Sequence, residues 1–403
     1  MAGSLDIDGT DEETGDTIVE RQLQVLNVIC QMIFERSGRI FEFVVDMTGL
    51  KQWPYECAKR YIVEMIKLPV SENALQHVKK FYYAEKVIQS EFIRQIEKCC
   101  TNIDEITTIQ TSNTSTAFDQ LSSFISKQKQ LRKIEIRSTD ALTNLSPLTR
   151  YLHQHRCSLT ELVLSVGILD ENALESIREC YKLERLTLHR IPLRSMHLRP
   201  LANAVFNNLR YLYVGEIDET WNVKSRDRPN NELITIIKLA KDTLDEIHLN
   251  VNLKYYSGLV KTIAGHCHKL KTFETCIQST DQIQELFSLL KISQSLQTLS
   301  ISRRWNNVLF QSYRCILGMV NHIPNTLRRL DLKGMELGVS DVKMILDRCP
   351  HLMYMSWKCE NYEREYENVV RKCAEKNARR VRKFGSKKLN ERVRWMMEVE
   401  FEE

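Results

Sequence analysis

Glycine and proline are scarce, with 13 and 8 among 403 residues. So few turn formers argue against an all-β protein built from many tight hairpins. No apolar run approaches the ~18 residues that a membrane-spanning helix needs, so no membrane association is expected. The opening residues are acidic, not basic and then apolar, so no secretory signal is read and the expected location is cytoplasmic or nuclear. The phosphate-cradling pattern Gly-x-x-x-x-Gly-Lys is missing, and so is Cys-x-x-Cys. Acids, histidines and serines are scattered without a catalytic arrangement, so no enzyme, cofactor or metal is expected. Gly265-His266-Cys267-His268 has metal-like residue types, yet no second ligand pair stands near it in sequence.

Charge of one sign does not dominate. Lys and Arg number 57 against 52 Asp and Glu, a net charge of +5. The distribution is uneven. Residues 1–20 hold seven acids and no base, and are read as a disordered tail. Residues 371–394 hold eleven bases and two acids. The balanced body gives no overall field for nucleic acid.

What the chain does contain is a repeat. An apolar residue, two variable ones, an apolar, a variable and an apolar recur in six clear copies beginning at Leu159, Leu183, Leu209, Leu244, Leu296 and Leu327. Weaker copies begin at Ile103, Leu131, Leu270 and Leu352. The ten copies step by 24 to 35 residues, close to 28 on average. The alternating end of each copy predicts a strand. Helical spacing between copies, as in Ala173-Leu174-Ile177-Cys180 and Val342-Ile345-Leu346-Cys349, predicts a helix. A strand–helix unit cannot bury its own apolar face, so the units must stack. Twelve cysteines suggest disulfides at first sight. Yet Cys100, Cys180, Cys267 and Cys349 each stand three residues before a repeat, and Cys157 two before. That places them where a helix runs into a strand, as small buried hydrophobes of a reducing compartment.

Residues 169–180 and 339–350, with their closing cysteines, resemble the cysteine-containing leucine-rich repeat of the F-box/leucine-rich-repeat proteins. The resemblance covers roughly residues 100–360. It implies an α/β solenoid, a horseshoe of about ten strand–helix repeats with helical flanks, and a protein-binding role without chemistry. It also implies that the chain is the substrate-recognition subunit of an SCF-type (cullin) ubiquitin ligase. The domains expected are residues 1–20, a helical region 21–98, the repeats 99–360 and a basic helical tail 361–403.

Residues 21–98 are read as either an F-box-like segment or a cap on the first repeat. Ile33, Phe34 and Trp53 resemble the family's Ile-Phe…Trp spacing, and so are the expected docking residues for a Skp-type adaptor. In the tail, Arg379, Arg380, Arg382, Lys383, Lys387 and Lys388 form a basic run that fits an import signal, a phosphate-binding patch or a solvated helix face. Aromatics for base stacking are few there, so nucleic acid is disfavoured as a partner.

The residues between the apolar positions should point outward on the concave face of the sheet. They are Arg185, Thr187 and His189, then Tyr211 and Tyr213, Glu246 and His248, Arg329, Asp331 and Lys333, and Tyr354, Ser356 and Lys358. Tyr and Arg are common at binding hot spots. Mixed charge suits a protein partner, held by a chain that is otherwise monomeric. Two long steps carry Trp221 and Trp305, the single residues most expected to touch a partner. The alternatives are an interaction scaffold without ligase linkage, and a nuclear or RNA-associated protein using the tail.

Overall fold

A computed structural model describes residues 42–46, 78–85, 90–110, 115–138, 144–165, 169–190, 195–215, 230–251, 256, 258–277, 280–303, 318–359, 364–377, 379–390 and 394–402. The chain divides into two compact units, Met1–Thr139 and Asp140–Glu403.

The first unit holds four parallel strands, paired in chain order: β1 (Glu42–Asp46), β2 (Lys80–Glu85), β3 (Glu105–Gln110) and β4 (Lys133–Ser138). Helices α1 (Ser90–Cys99) and α2 (Ser115–Lys127) follow β2 and β3. The second unit continues the same alternation. Its parallel strands are β5 (Glu161–Ser165), β6 (Arg185–His189), β7 (Tyr211–Gly215), β8 (Glu246–Asn250), β9 (Thr272–Ile277), β10 (Thr298–Arg303), β11 (Arg329–Glu336) and β12 (Tyr354–Cys359). α3 (Ser146–Thr149) precedes β5; between the strands come α4 (Glu171–Arg178), α5 (Ser195–Ala202), α6 (Asn230–Leu239), α7 (Leu259–His266), α8 (Thr280–Ile292) and α9 (Val339–Arg348), and α10 (Arg364–Lys376) follows β12. The hairpin β13 (Val381–Asn390) and β14 (Arg394–Phe401) ends the sheet, with β14 antiparallel to β12 and β13 outermost. This is an α/β leucine-rich-repeat solenoid.

All ten expected copies become strands, β3 to β12. Their apolar positions are buried: Leu183, Leu186 and Leu188 in one repeat, Leu327, Leu330 and Leu332 in another. Each such leucine gains about 1.5–3 kcal/mol on burial. Against them pack helix residues of the same spacing, such as Ala173, Leu174 and Ile177 of α4. That helix starts where Asp170 accepts a hydrogen bond from the Ala173 amide, satisfying one of its open donors.

The stacking register is set by backbone. From β5 to β11 the carbonyl just before each strand accepts two successive N–H groups of the next repeat. Thr160 takes Glu184 and Arg185, Glu184 takes Arg210 and Tyr211, and so on to Arg328, which takes Met353 and Tyr354. Lys79 and Asp104 do the same in the first unit. Hydroxyls one residue before the repeat add a second tie: Thr243 donates to the Leu209 carbonyl and Thr326 to that of Leu296, each over 2.8 Å.

Two expectations about the ends are corrected. Residues 42–46 and 80–85, read as part of a helical region, are repeat strands. Val78 and Phe81 are buried as repeat positions; an aromatic stands where the clear copies have leucine or isoleucine. Residues 381–390 and 394–401, read as part of a helical tail, are the paired strands β13 and β14. The cause is the period of two in Met397-Glu398-Val399-Glu400-Phe401, whose apolar members are all buried. The helix expected after residue 361 is confined to α10. Residues 1–20 lie outside the described residues.

The cysteine slot is corrected in part. Cys100, Cys180, Cys267 and Cys349 are buried, and burial pushes the thiols of the last three up to about 12. Cys157, one residue out of step, is exposed. Nor is the slot reserved for small residues: Phe206 and Gln128 fill it in other repeats. Gln128 binds the Cys100 carbonyl and the Ile103 amide of the preceding repeat.

Candidate functional site

The outward positions of β6 to β12 form rows across the sheet, because parallel strands in register bring equivalent residues side by side. The first row of the second unit runs Arg185, Tyr211, Glu246, Thr272, Thr298, Arg329, Tyr354 and Glu400. The next runs Thr187, Tyr213, His248, Glu274, Ser300, Asp331, Ser356 and Glu398.

In the first row an arginine twice stacks on the tyrosine of the following strand. The guanidinium of Arg185 lies 3.9 Å from the Tyr211 ring centre, and that of Arg329 lies 4.0 Å from the Tyr354 ring centre. Such stacks contribute about 0.5–1 kcal/mol each at exposed sites. Arg185 reaches on across Tyr211 to within 3.8 Å of Glu246. Arg329 is exposed and makes no ion pair among the described residues.

The second row centres on His248. Its Nδ1 donates to Glu274 Oε2 over 2.8 Å, and its Nε2 lies 3.8 Å from Glu246. The ring tilts against Tyr211 and Tyr213, with centroids 5.0 and 6.1 Å away. Tyr213 also meets the edge of His189, whose Nδ1 lies 2.9 Å from Ser165 Oγ. Tyr213 and His189 come together because Gly215 has no side chain. A Cβ there would stand 2.9 Å from Tyr213 and 3.0 Å from His189. Half-burial among these neighbours pushes the phenols of Tyr211 and Tyr213 up. The His248 hydrogen bond, followed by the charge of Lys333, holds the Glu274 carboxyl below its usual range. Lys333 lies 3.9 Å from Glu274 and 3.2 Å from Asp331.

Arg185, Thr187, His189, Tyr211, Tyr213, Glu246, His248, Tyr354 and Lys358 are half-buried on this face, while Arg329 and Lys333 are exposed. Asp331 and Ser356 differ from expectation, being only 5% and 2% exposed. Ser356 donates its hydroxyl to Asp331, Lys333 covers the other carboxylate oxygen, and β14 closes the far side of Ser356. Trp221, Trp305, Ile33, Phe34 and Trp53 lie outside the described residues.

The tail was expected to be helical. Instead its hairpin widens the same sheet. Glu400 and Glu398 extend the two rows, and Lys383 lies within 4.0 Å of both. Arg379 is half-buried. Its guanidinium stacks 4.3 Å from the Phe401 ring centre and donates to the Leu352 carbonyl. Arg379 thus belongs to the packing of the last repeat. Arg380 and Arg382 are exposed, and Lys387 and Lys388 occupy positions along β13. The period-two pattern of residues 397–401 was the signal that could have linked tail and face.

No family model matches the chain, and no curated protein matches it. Among solved structures, the crystal structure of an internalin (inlF) from Listeria monocytogenes str. 4b F2365 is similar at 14% sequence identity. The match covers 72% of this chain and 78% of that one, with a TM-score of 0.37.

Proposed function

We propose that this chain is a non-catalytic protein-binding repeat protein that holds its partner on the outward sheet face of the second unit. The observation that carries the reading is the cluster of Tyr211, Tyr213, His189 and His248 between Arg185 and Glu274. Half-exposed rings held rigid by one another lose little entropy on binding, and Arg and Tyr are the residue types that dominate hot spots. Glu246, Glu274, Arg329 and Lys333 around the rings give both charge signs, which favours specificity for a protein surface. The test is quantitative affinity capture with the wild type, with Tyr211→Ala/Tyr213→Ala, and with Lys238→Ala on the exposed side of α6 as control. Partners lost from the double variant alone, at unchanged melting temperature, support the reading. An identical set from all three defeats it.

We further propose, at a finer level, that the partner is a ubiquitination substrate and that residues 21–98 bring a Skp-type adaptor. The F-box/leucine-rich-repeat resemblance supports this, with Ile33, Phe34 and Trp53 as the docking residues. The strands at 42–46 and 80–85 speak for the alternative, a scaffold whose N-terminal region is more of the repeat. Co-expression with the adaptor and size-exclusion chromatography separate the two. A one-to-one complex means a ligase subunit, and clean separation means a scaffold.

A further inference from the structure

The sheet does not end on a blunt edge. β13 is its outermost strand, ten residues long, and among the described residues it pairs only with β14. A strand in this position presents a line of N–H and C=O groups that can template another strand.

The residues along this edge have one sign of charge. Residues 380–388 contain Arg380, Arg382, Lys383, Lys387 and Lys388 and no acid. Lys383 lies within reach of Glu398 and Glu400. Arg380 and Arg382 are exposed and make no ion pair among the described residues. Two copies of such an edge would bring bases against bases, which destabilises a strand pair. The charge therefore opposes self-pairing but favours a strand of opposite sign. Between register shifts at Val381/Lys383 and Lys388/Asn390, β13 pairs regularly with β14, a geometry that suits main-chain recognition. Its single aromatic, Phe384, is half-buried, which leaves little for nucleobase stacking.

We propose that the outer edge of β13 takes up an acidic extended peptide as an additional strand, held by main-chain hydrogen bonds and by Arg380, Arg382 and Lys383. Addition of a strand to an exposed edge is an established mode of peptide recognition. The inference is independent of the outward face, so either can fail alone.

The test uses the full chain and a fluorescent peptide of alternating Glu and Val, eight residues long, followed by anisotropy. Three results are expected. Arg380→Glu/Arg382→Glu, at two exposed positions without ion pairs, weakens binding at least tenfold without lowering the melting temperature. N-methylation of every second peptide amide weakens it to a similar degree. Peptide binding slows amide exchange within residues 381–390 at least fivefold. Equal binding of the N-methylated peptide, or unchanged exchange in β13, overturns the proposal by reducing the edge to a diffuse charge patch. Tighter binding of a single-stranded oligonucleotide through the same arginines overturns it in favour of nucleic acid.

Discussion

His248 Nδ1 and Glu274 Oε2 meet at 2.8 Å across the step from β8 to β9, and this pair ties the aromatic cluster to the charged half of the face. The native carboxyl titrates below its ordinary value of 4.5, first through this hydrogen bond and then through Lys333. A carboxyl depressed in the folded state stabilises the fold fully above the unfolded value, and the contribution is lost as pH falls through the lower native one. Glu274→Gln should therefore flatten the loss of stability below pH ~4.5, measured by urea unfolding at several pH values. His248→Ala should move the Glu274 titration upward toward the ordinary value, read by carbon NMR. No upward movement would mean that the pair is not what holds the carboxyl down.

Gly215 separates the face from the fold. A Cβ at this position must displace Tyr213 or His189. Gly215→Ala should cost about 1–2 kcal/mol of stability, as modest overpacking does, and weaken partner binding far more than that loss explains. Thermal unfolding and affinity capture of the same variant check both halves.

Leu330 and Arg329 are neighbours on β11 with opposite fates. Leu330 is fully buried and Arg329 is exposed. Leu330→Asp should cost about 4 kcal/mol or more, since it buries an unpaired carboxylate. Arg329→Ala should change stability by less than about 1 kcal/mol, the scale of an exposed stack. Circular dichroism during denaturant titration distinguishes them; a cooperative, wild-type-like Leu330→Asp would disprove the register of the repeats.

Phe401 tests whether the hairpin is part of the domain. It is buried, its amide donates to the Met353 carbonyl, and Arg379 stacks on its ring. Phe401→Ala should cost about 3 kcal/mol, as buried phenylalanines do. It should also speed amide exchange in β14 and at Tyr354. A hairpin that frays freely would show neither.

Cys157 is expected to react faster than the buried cysteines. It is exposed, and the Tyr181 hydroxyl, 3.0 Å away, together with Arg156 favours its thiolate. Cys180, Cys267 and Cys349 are buried with raised pKa and should react only on unfolding. Timed alkylation with peptide mapping, repeated on Cys157→Ser, gives the order directly.

The repeat was legible because it is written in local residues. Leucines three and then two apart, as in Leu183-Leu186-Leu188, fix which side of a strand faces the helices, whatever lies further along the chain. The same alternation told that Arg185, Tyr211 and His248 face outward. It was less legible at the ends, where Phe81 replaces leucine or isoleucine and where the bases and glutamates of residues 381–401 mask a period of two.

Pairing across strands was beyond the sequence. That Arg185 stacks on Tyr211, that His248 finds Glu274, and that Ser356 reaches Asp331 depends on residues 25 or 26 positions apart being brought to one level. Spacing by itself predicts a row but not which members of it join. The stacking of successive repeats, set by paired amides on single carbonyls, decides that. Burial behind the added β14 then turns Ser356, by pattern an exposed position, into part of the interior.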